Sequence, residues 1–345
     1  MSDTILITGG AGFIGSNFVS YVKDKYPDYR ILVLDALTYA GFVENLPPEM
    51  VNRKHPKYEF WYGNVCNAEL VDTLVEQADI IVHFAAETHV TKSIFDNLQF
   101  YQTDVLGTHT IANAVLKAGN KAKRLVHIST SEVYGTAETE MISEDHPLNP
   151  MSPYASAKCG ADRLIYSYQA TYDIPAVIIR PFNNYGPRQH LEKLIPRFIT
   201  SILLDEPLTI HGDGSAARDF VYVEDVCRAI DAVVHADDSK VIGEVFNVAT
   251  GVHRSIVDVA DGITQQMDRP GAARTNTNNR PGQVDRHTGD WSKIKETLGW
   301  EPQVSWEEGL ERTIEWFKAN RAQWQNQLWL RQTLVRLPSG ETEYQ

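Results

Sequence analysis

The sequence predicts an α/β fold: a doubly wound parallel sheet followed by a smaller C-terminal lobe. Three observations predict it. Short apolar runs alternate with helical patterns as far as residue 186. Those runs lack the in/out alternation of half-exposed strands, as strands covered on both faces do. The first run is followed at once by a glycine-rich turn and a helical pattern, the opening of a βαβ unit.

Taken in order, TILIT (4–8) reads as a buried strand and Gly12–Lys25 as a helix. RILVLDAL (30–37) and YEFWYGNV (58–65) read as the second and third strands, with a helix at Ala68–Gln77. DIIVHFAA (79–86) is a fourth strand, Leu98–Ala118 one long helix, and KRLVHIST (123–130) a fifth strand. Pro153–Tyr172 is a helix with Pro153 in its first turn, where a missing N–H costs nothing. AVIIRPFNNYG (176–186) is a sixth strand and its loop.

Beyond 186 the alternation weakens. Helices at Ile195–Leu204 and Val223–His235 and strands at LTI (208–210) and EVFNVAT (244–250) are expected. A last helix begins near Ser305, where Ser305 and Glu308 have capping-box spacing. The domains expected are 1–186, a dinucleotide-binding domain with 218–240 packing back on it, a mainly substrate-binding lobe over 187–330, and an extended or mobile tail at 331–345. Trp291, Trp300 and Trp306 are expected to pack the second lobe, and Trp324 and Trp329 to serve a subunit contact.

Composition excludes several classes. The chain of 345 residues is 43% hydrophobic and 22% charged, with a formal net charge of −13. That balance argues against nucleic acid or an anionic membrane as partner. Cys66, Cys159 and Cys227 are scattered, without metal or disulfide spacing, which suits a reducing cytoplasm. No metal is expected. No apolar run approaches the roughly 18 residues of a membrane helix. The N-terminus runs straight into a strand, so no signal peptide is expected.

The first turn, TGGAGFIG (8–15), satisfies G-x-G-x-x-G with Gly10, Gly12 and Gly15, and adds Gly9. Glycine closes the turn, admits a pyrophosphate to the backbone and packs helix on strand. The pyrophosphate then meets a helix N-terminus. Asp35 ends the next strand, 20 residues after Gly15, placed to accept from adenosine ribose hydroxyls. The setting is that of a Rossmann-like dinucleotide site. No Arg follows Asp35 directly, which favours NAD over NADP.

HISTSEVYG (127–135) brings Thr130, Ser131 and Glu132 to the end of an apolar strand, and YASAK follows with Tyr154 and Lys158. Y-x-x-x-K puts both side chains on one helix face. An ammonium there is expected to lower the Tyr154 pKa from about 10, and a tyrosinate is a good general base for an alcohol. Thr130 can hydrogen-bond the same hydroxyl.

With these motifs, the chain resembles the extended short-chain dehydrogenase/reductase family. The resemblance runs through TGGAGFIG, HFAAETHV (83–90), STSEVYG, YASAK, RPFNNYGPR (180–188), RDFVYVEDV (218–226) and the RPG of 280–282. LDALTYAGFVENL (34–46), HFAAETHVTKSI (83–94) and NNYGPRQHLEKLIP (183–196) are similar to the NDP-hexose 4,6-dehydratases within it. The resemblance implies bound NAD held by Gly9, Gly12, Phe13, Ile14, Gly15, Asp35, Asn64, Val65, Ala85, Tyr154 and Lys158. It implies a nucleotide-diphosphate sugar as substrate. Tyr154 takes the O4 proton as C4 is oxidised, Glu132 takes the C5 proton as the C6 hydroxyl leaves, and the hydride returns to C6.

The dTDP-glucose type carries Asp between the Thr and Glu; this chain has Ser131, a poor proton donor. GDP-mannose 4,6-dehydratases resemble it in Thr-Ser-Glu. So do UDP-glucuronate decarboxylases, in which a 4-ketone assists loss of carbon dioxide. Dehydratase stands first, decarboxylase second and 4-epimerase third; an NAD-binding sensor or scaffold is the non-enzyme reading.

Arg218 and Arg286 are the first candidates for the diphosphate, since Arg matches phosphate geometry; Lys193 and Arg188 follow. The resemblance adds Asn184 at the substrate and aligns Glu192 and Lys193 with the dehydratase loop. His83 and His89 flank the turn after the fourth strand, and His89 is a candidate for substrate contact. Asn64 stands where the family has Asp and is expected to offer its carbonyl to the adenine. Asp104 stands where the family has Asn, and must find donors or sit protonated. The family packs the helices matching Leu98–Ala118 and Pro153–Tyr172 against their mates, which implies a homodimer.

Overall fold

The structure, a computed structural model, describes residues 3–52, 55–278, 284–331, 334–336 and 342–344. The Arg280-Pro281-Gly282 motif and part of the tail lie outside the described residues.

Seven parallel strands form the main sheet, in the order Val245–Val248, Ala176–Pro181, Arg124–Ile128, Ile80–His83, Thr4–Thr8, Arg30–Asp35, Tyr58–Tyr62. The apolar residues of the inner strands are buried on both faces, as the runs required, while the edge strand Tyr58–Tyr62 leaves Phe60 and Trp61 half-buried and Tyr62 exposed. Phe13–Lys25 and Val223–Val234 cover one face through Phe18, Val19, Ile230 and Val233. Ala68–Val75, Thr108–Ala118 and Pro153–Tyr172 cover the other through Leu74, Ile111, Val115 and Ile165. The chain builds outward from Thr4–Thr8 to Tyr58–Tyr62, then returns to lay Ile80–His83 on the opposite side. That reversal opens a crevice at the carboxyl ends of the strands, where open α/β sheets bind ligands.

Helix ends follow local chemistry. The Ser152 hydroxyl accepts from Ala155 N at 3.1 Å ahead of Pro153, and Asp173 closes that helix at φ +55°. Lys23 and Lys25 sit in the last turn of Phe13–Lys25, where cations suit the helix dipole.

The second lobe has its own core, built from Leu194–Leu203, Ile256–Gln266 and Trp306–Ala319. Asn183–Tyr185, Ala217–Tyr222 and His253–Ser255 form a three-stranded sheet beside it. Leu208–His211 pairs with Arg274–Thr277.

Several expectations are corrected. Val245–Val248 pairs with Ile178–Pro181 in the main sheet, so this part of the expected lobe belongs to the first domain's sheet. Trp291 and Trp300 go with it, packing at the main core rather than in the lobe. Trp306 does pack in the lobe. Trp324 is buried there, its Nε1 donating to Phe317 O at 2.7 Å, which removes it as a subunit contact. Leu98–Ala118 is helical throughout, but Tyr101–Gly107 is wound in the wider π geometry. Ser305 caps Glu308 N at 3.2 Å, while the Glu308 carboxylate turns to Arg312. The reciprocal box occurs instead at Ser255 and Asp258. In the tail, Leu334–Arg336 and Thr342–Tyr344 pair as antiparallel strands.

Candidate active site

The crevice is a cavity of about 410 Å3 that draws on both lobes. Its floor is the glycine turn. Gly9 has φ +70°, and a Cβ there would lie 2.6 Å from Ala85 N. A Cβ on Gly15 would lie 2.2 Å from Gly9 O. The missing side chains leave backbone exposed to the cavity at the start of Phe13–Lys25, a fit for a pyrophosphate. Phe13, Ile14, Val65 and Ala85 line the same cavity, as do Gly12 and Asn64.

Asp35 borders it as well, its carboxylate fixed by Ala11 N at 2.9 Å and Leu37 N at 2.8 Å. Burial raises its pKa, against these two donors. The Asn64 carbonyl is already engaged, accepting from Cys66 N at 2.8 Å; its proposed use toward an adenine has to share that acceptor.

Above the floor stand Thr130, Ser131, Glu132, Tyr154 and Lys158, all on the cavity wall. The strand Arg124–Ile128 delivers the triplet, and Thr130 Oγ1 caps the short turn Ser131–Tyr134 by accepting from Glu132 N at 3.2 Å. Pro153–Tyr172 delivers the other pair. The Tyr154 hydroxyl shares the cavity wall with Thr130, and Ser93 Oγ accepts from Tyr154 N at 3.1 Å.

The electrostatics differ from expectation. Burial raises the Tyr154 pKa, with Asp104 and Glu132 adding to it and Thr130 acting the other way. The Lys158 ammonium does not offset this: Nζ donates to Ile128 O at 2.7 Å. Burial lowers the Lys158 pKa, and Asp104 and Asp162 oppose that.

Among the substrate candidates, Asn184, Lys193 and Arg218 line the cavity. Lys193 Nζ donates to Thr88 O at 2.9 Å and pairs with Glu192 at 3.1 Å. Arg218 Nη1 donates to its neighbour Ala217 O, and the Glu132 charge acts on it across the site. Asn184 Oδ1 is buried without a protein partner.

Three candidates fall outside the cavity wall. His89 caps Val90–Phe95 through Nδ1, 3.2 Å from Lys92 N, and its Nε2 lies 3.2 Å from Glu192; it braces the loop. Glu192 is held ionised there, since Lys193, His190 and His89 outweigh its burial. Arg286 runs beside Ala217 and donates to Thr139 O at 3.1 Å. Arg188 turns onto Phe13–Lys25, 3.3 Å from Asn17 Oδ1 and Ser20 Oγ. His83 is interior, bonded to Thr8 at 2.7 Å and Thr108 at 3.0 Å, and burial lowers its pKa to about 3.

The cavity adds Glu87, Thr88, His190, His211, Phe220 and Ile256, which the sequence reading did not single out. Glu87 and Thr88 directly follow a strand end, a usable signal. The last three come from the second lobe; Phe220 lies within RDFVYVEDV, while His211 and Ile256 carry no local motif.

Residues 6–313 match the family described as GDP-mannose 4,6 dehydratase. The chain is 44% identical to the low-salt glycan biosynthesis protein Agl12 of Haloferax volcanii, over 91% of this chain and 98% of that one. It is 37% identical to a dTDP-D-glucose 4,6-dehydratase of Mus musculus, over 93% and 90% of the two chains. Among solved structures it is similar to DesIV, a dTDP-glucose 4,6-dehydratase from Streptomyces venezuelae with NAD and TYD bound. The TM-score is 0.88 and the identity 38%, with 94% of this chain and 99% of that chain covered.

Proposed function

The chain belongs to the GDP-mannose 4,6 dehydratase family, and from that premise we propose how its cavity works. It is an NAD-dependent nucleotide-diphosphate-sugar 4,6-dehydratase, a lyase of the extended short-chain dehydrogenase/reductase type. The observation that carries the mechanism is the meeting of the glycine turn and Asp35 with Thr130, Glu132 and Tyr154 in one cavity.

Gly9, Gly12, Gly15 and Asp35 hold the cofactor. Bound NAD supplies the reversible oxidation, at C4 first and at C6 in reverse. Tyr154 takes the O4 proton, and Thr130 holds the same hydroxyl. Ionising Tyr154 is opposed by its burial and by two carboxyls, so the base forms only against that opposition. Once C4 is a ketone, C5–H is acidic and Glu132 removes its proton. Ser131, buried in the wall, hydrogen-bonds the C6 hydroxyl, which departs as water with the proton that Glu132 took from C5. Lys193 and Arg218 take the diphosphate.

The missing acid at Ser131 favours one second reading, decarboxylation of UDP-glucuronate, which needs no leaving hydroxyl. Incubation with dTDP-, UDP-, GDP- and CDP-sugars, read by mass spectrometry, decides. Loss of water from a hexose is expected; loss of carbon dioxide from UDP-glucuronate alone overturns the dehydratase.

A homodimer is part of this reading. Leu98, Tyr101 and Leu106 on one helix and Tyr166 and Tyr172 on its neighbour are exposed apolar groups in the described chain, a face that a second copy would cover. Elution as a monomer on size exclusion would contradict it. Among the described residues no helix is long and apolar enough to cross a membrane. Cys66, Cys159 and Cys227 are free thiols, which supports a cytoplasmic location, and the net charge of −13 supports the absence of nucleic-acid partners.

A further inference from the structure

The glycine turn is held from behind by residues that no step above uses. Ala11 lies inside that turn, and its N–H donates to Asp35 at 2.9 Å. Its carbonyl accepts from Asn45 Nδ2 at 3.0 Å and from Phe42 N at 3.1 Å. The next residue, Gly12, is the N-cap of Phe13–Lys25, so the orientation of the Ala11–Gly12 peptide sets where that helix starts. The first N–H groups of a helix have no partner within it, and Phe13 and Ile14, which open this one, line the cavity.

Asn45 is buried, and its amide has one workable orientation. A backbone carbonyl only accepts, so Asn45 must turn its NH2 group to Ala11 O, and its Oδ1 then faces away from the turn. Gln323 meets it there: Nε2 donates to Asn45 Oδ1 at 3.1 Å. The same logic fixes the Gln323 amide, since an oxygen set against Asn45 Oδ1 would repel it. Gln323 lies 278 positions along the chain from Asn45, past the residues 6–313 that match the family. Its neighbour Trp324 places it, buried in the second lobe's core with Nε1 donating to Phe317 O at 2.7 Å. Three residues thus form a directed chain of hydrogen bonds, Gln323 to Asn45 to Ala11, from the second lobe to the cofactor turn.

We propose that Gln323 and Asn45 are positioning residues for the cofactor: through the Ala11 carbonyl they hold the glycine turn in the shape that retains NAD. The role rests on the glycine turn as the NAD cradle proposed above. The reaction gives retention a purpose. The hydride removed from C4 returns to C6 in the same cycle, so the cofactor has to stay bound between the two steps.

The test is exchange of bound NAD on the holoenzyme. Enzyme carrying NAD is mixed with an excess of deuterium-labelled NAD, exchange is followed by mass spectrometry, and Tm is measured on the same samples. Gln323→Glu replaces the donor by an acceptor of the same length, and Asn45 cannot turn to meet it without losing Ala11. Exchange is expected to become about tenfold faster, as one hydrogen bond is lost and two acceptors are left opposed. Asn45→Ala should also exchange about tenfold faster, and in that background Gln323→Glu should add nothing, because the two residues act as one chain.

A lower Tm with wild-type exchange in Gln323→Glu would mark a packing contact and overturn the proposal. An effect of Gln323→Glu that persists in full on Asn45→Ala would be charge acting at a distance and would overturn it equally. Should Asn45→Ala not fold, Gln323→Leu takes its place, removing the donor without adding charge. It too is expected to exchange faster, and a wild-type rate overturns the proposal. Gly15→Ala tests the cradle separately. Wild-type exchange there overturns the cradle reading and the brace with it; faster exchange there, with wild-type exchange in Gln323→Glu, overturns the brace alone.

Discussion

Lys158 Nζ donates to the Ile128 carbonyl at 2.7 Å, tying the helix Pro153–Tyr172 to the end of the strand that leads into Thr130–Glu132. The ammonium thus fixes where these two segments meet, while the phenol one turn away stands on the same cavity wall as Thr130. The bond sets the geometry of the site; it does not by itself make a tyrosinate.

Tyr154→Phe keeps the ring in its buried place and deletes only the hydroxyl. Loss of a positioned base is expected to lower kcat at least about 100-fold, while NAD stays bound. Turnover within a few-fold of wild type would show that another group takes the O4 proton.

Glu132→Gln removes the carboxylate proposed as the C5 base. Reaction in deuterium oxide is expected to give neither water loss nor solvent deuterium at C5. Ser131→Ala, which removes a hydroxyl that is no acid, should keep dehydration within about tenfold. The reverse ranking of the two variants would move the elimination chemistry onto Ser131.

Gly15→Ala places a methyl 2.2 Å from Gly9 O, on backbone that has no room to give. NAD affinity by calorimetry should fall at least about 100-fold, and Tm should fall as well. Unchanged NAD binding would mean that the turn is not the pyrophosphate cradle.

Arg180 and Asp162 form a buried bidentate pair, with bonds of 2.8 and 2.9 Å. Burial acts to raise the Asp162 pKa, but Arg180, with Arg163 adding to it, outweighs burial and the net direction is down. A depressed carboxylate contributes stability that is present above its unfolded value of about 3.9 and is lost as pH falls through the folded one. Arg180→Ala is therefore expected to cost about 3–5 kcal/mol at pH 7, measured by urea unfolding, and less below pH 4. An equal cost at both pH values would show that the loss is packing rather than charge.

His235 has its pKa raised: burial lowers it, but Asp231, 3.0 Å away, outweighs burial. This contact lies at the end of Val223–Val234 itself, and Lys25 and Tyr26, at the end of Phe13–Lys25, reach the same carboxylate. A raised base contributes stability below its unfolded pKa of about 6.5, lost as pH rises through the folded value. Wild type should thus lose this increment on the alkaline side, and His235→Gln should not. Parallel stability curves for the two proteins between pH 5 and pH 9 would remove the pair from the ledger.

The sequence by itself determined the parts whose signal is local. The glycine turn, Asp35 and the strand ends are written in consecutive residues, because turn sterics and burial on both sheet faces act within a few positions. YASAK placed Tyr154 and Lys158 on one helix face for the same reason. Only the tertiary structure decided the rest. Val245–Val248 reads alone as any short apolar strand, and a long-range parallel pairing made it the sheet's edge. His89, Arg188 and Arg286 have the chemistry for a substrate site, yet packing aims them at Glu192, at Phe13–Lys25 and at Thr139. The direction of the Tyr154 pKa came from burial and from Asp104, 50 positions away in the chain. Charge and desolvation act through space, and a linear pattern records neither which carboxyl comes near nor how little water remains beside it.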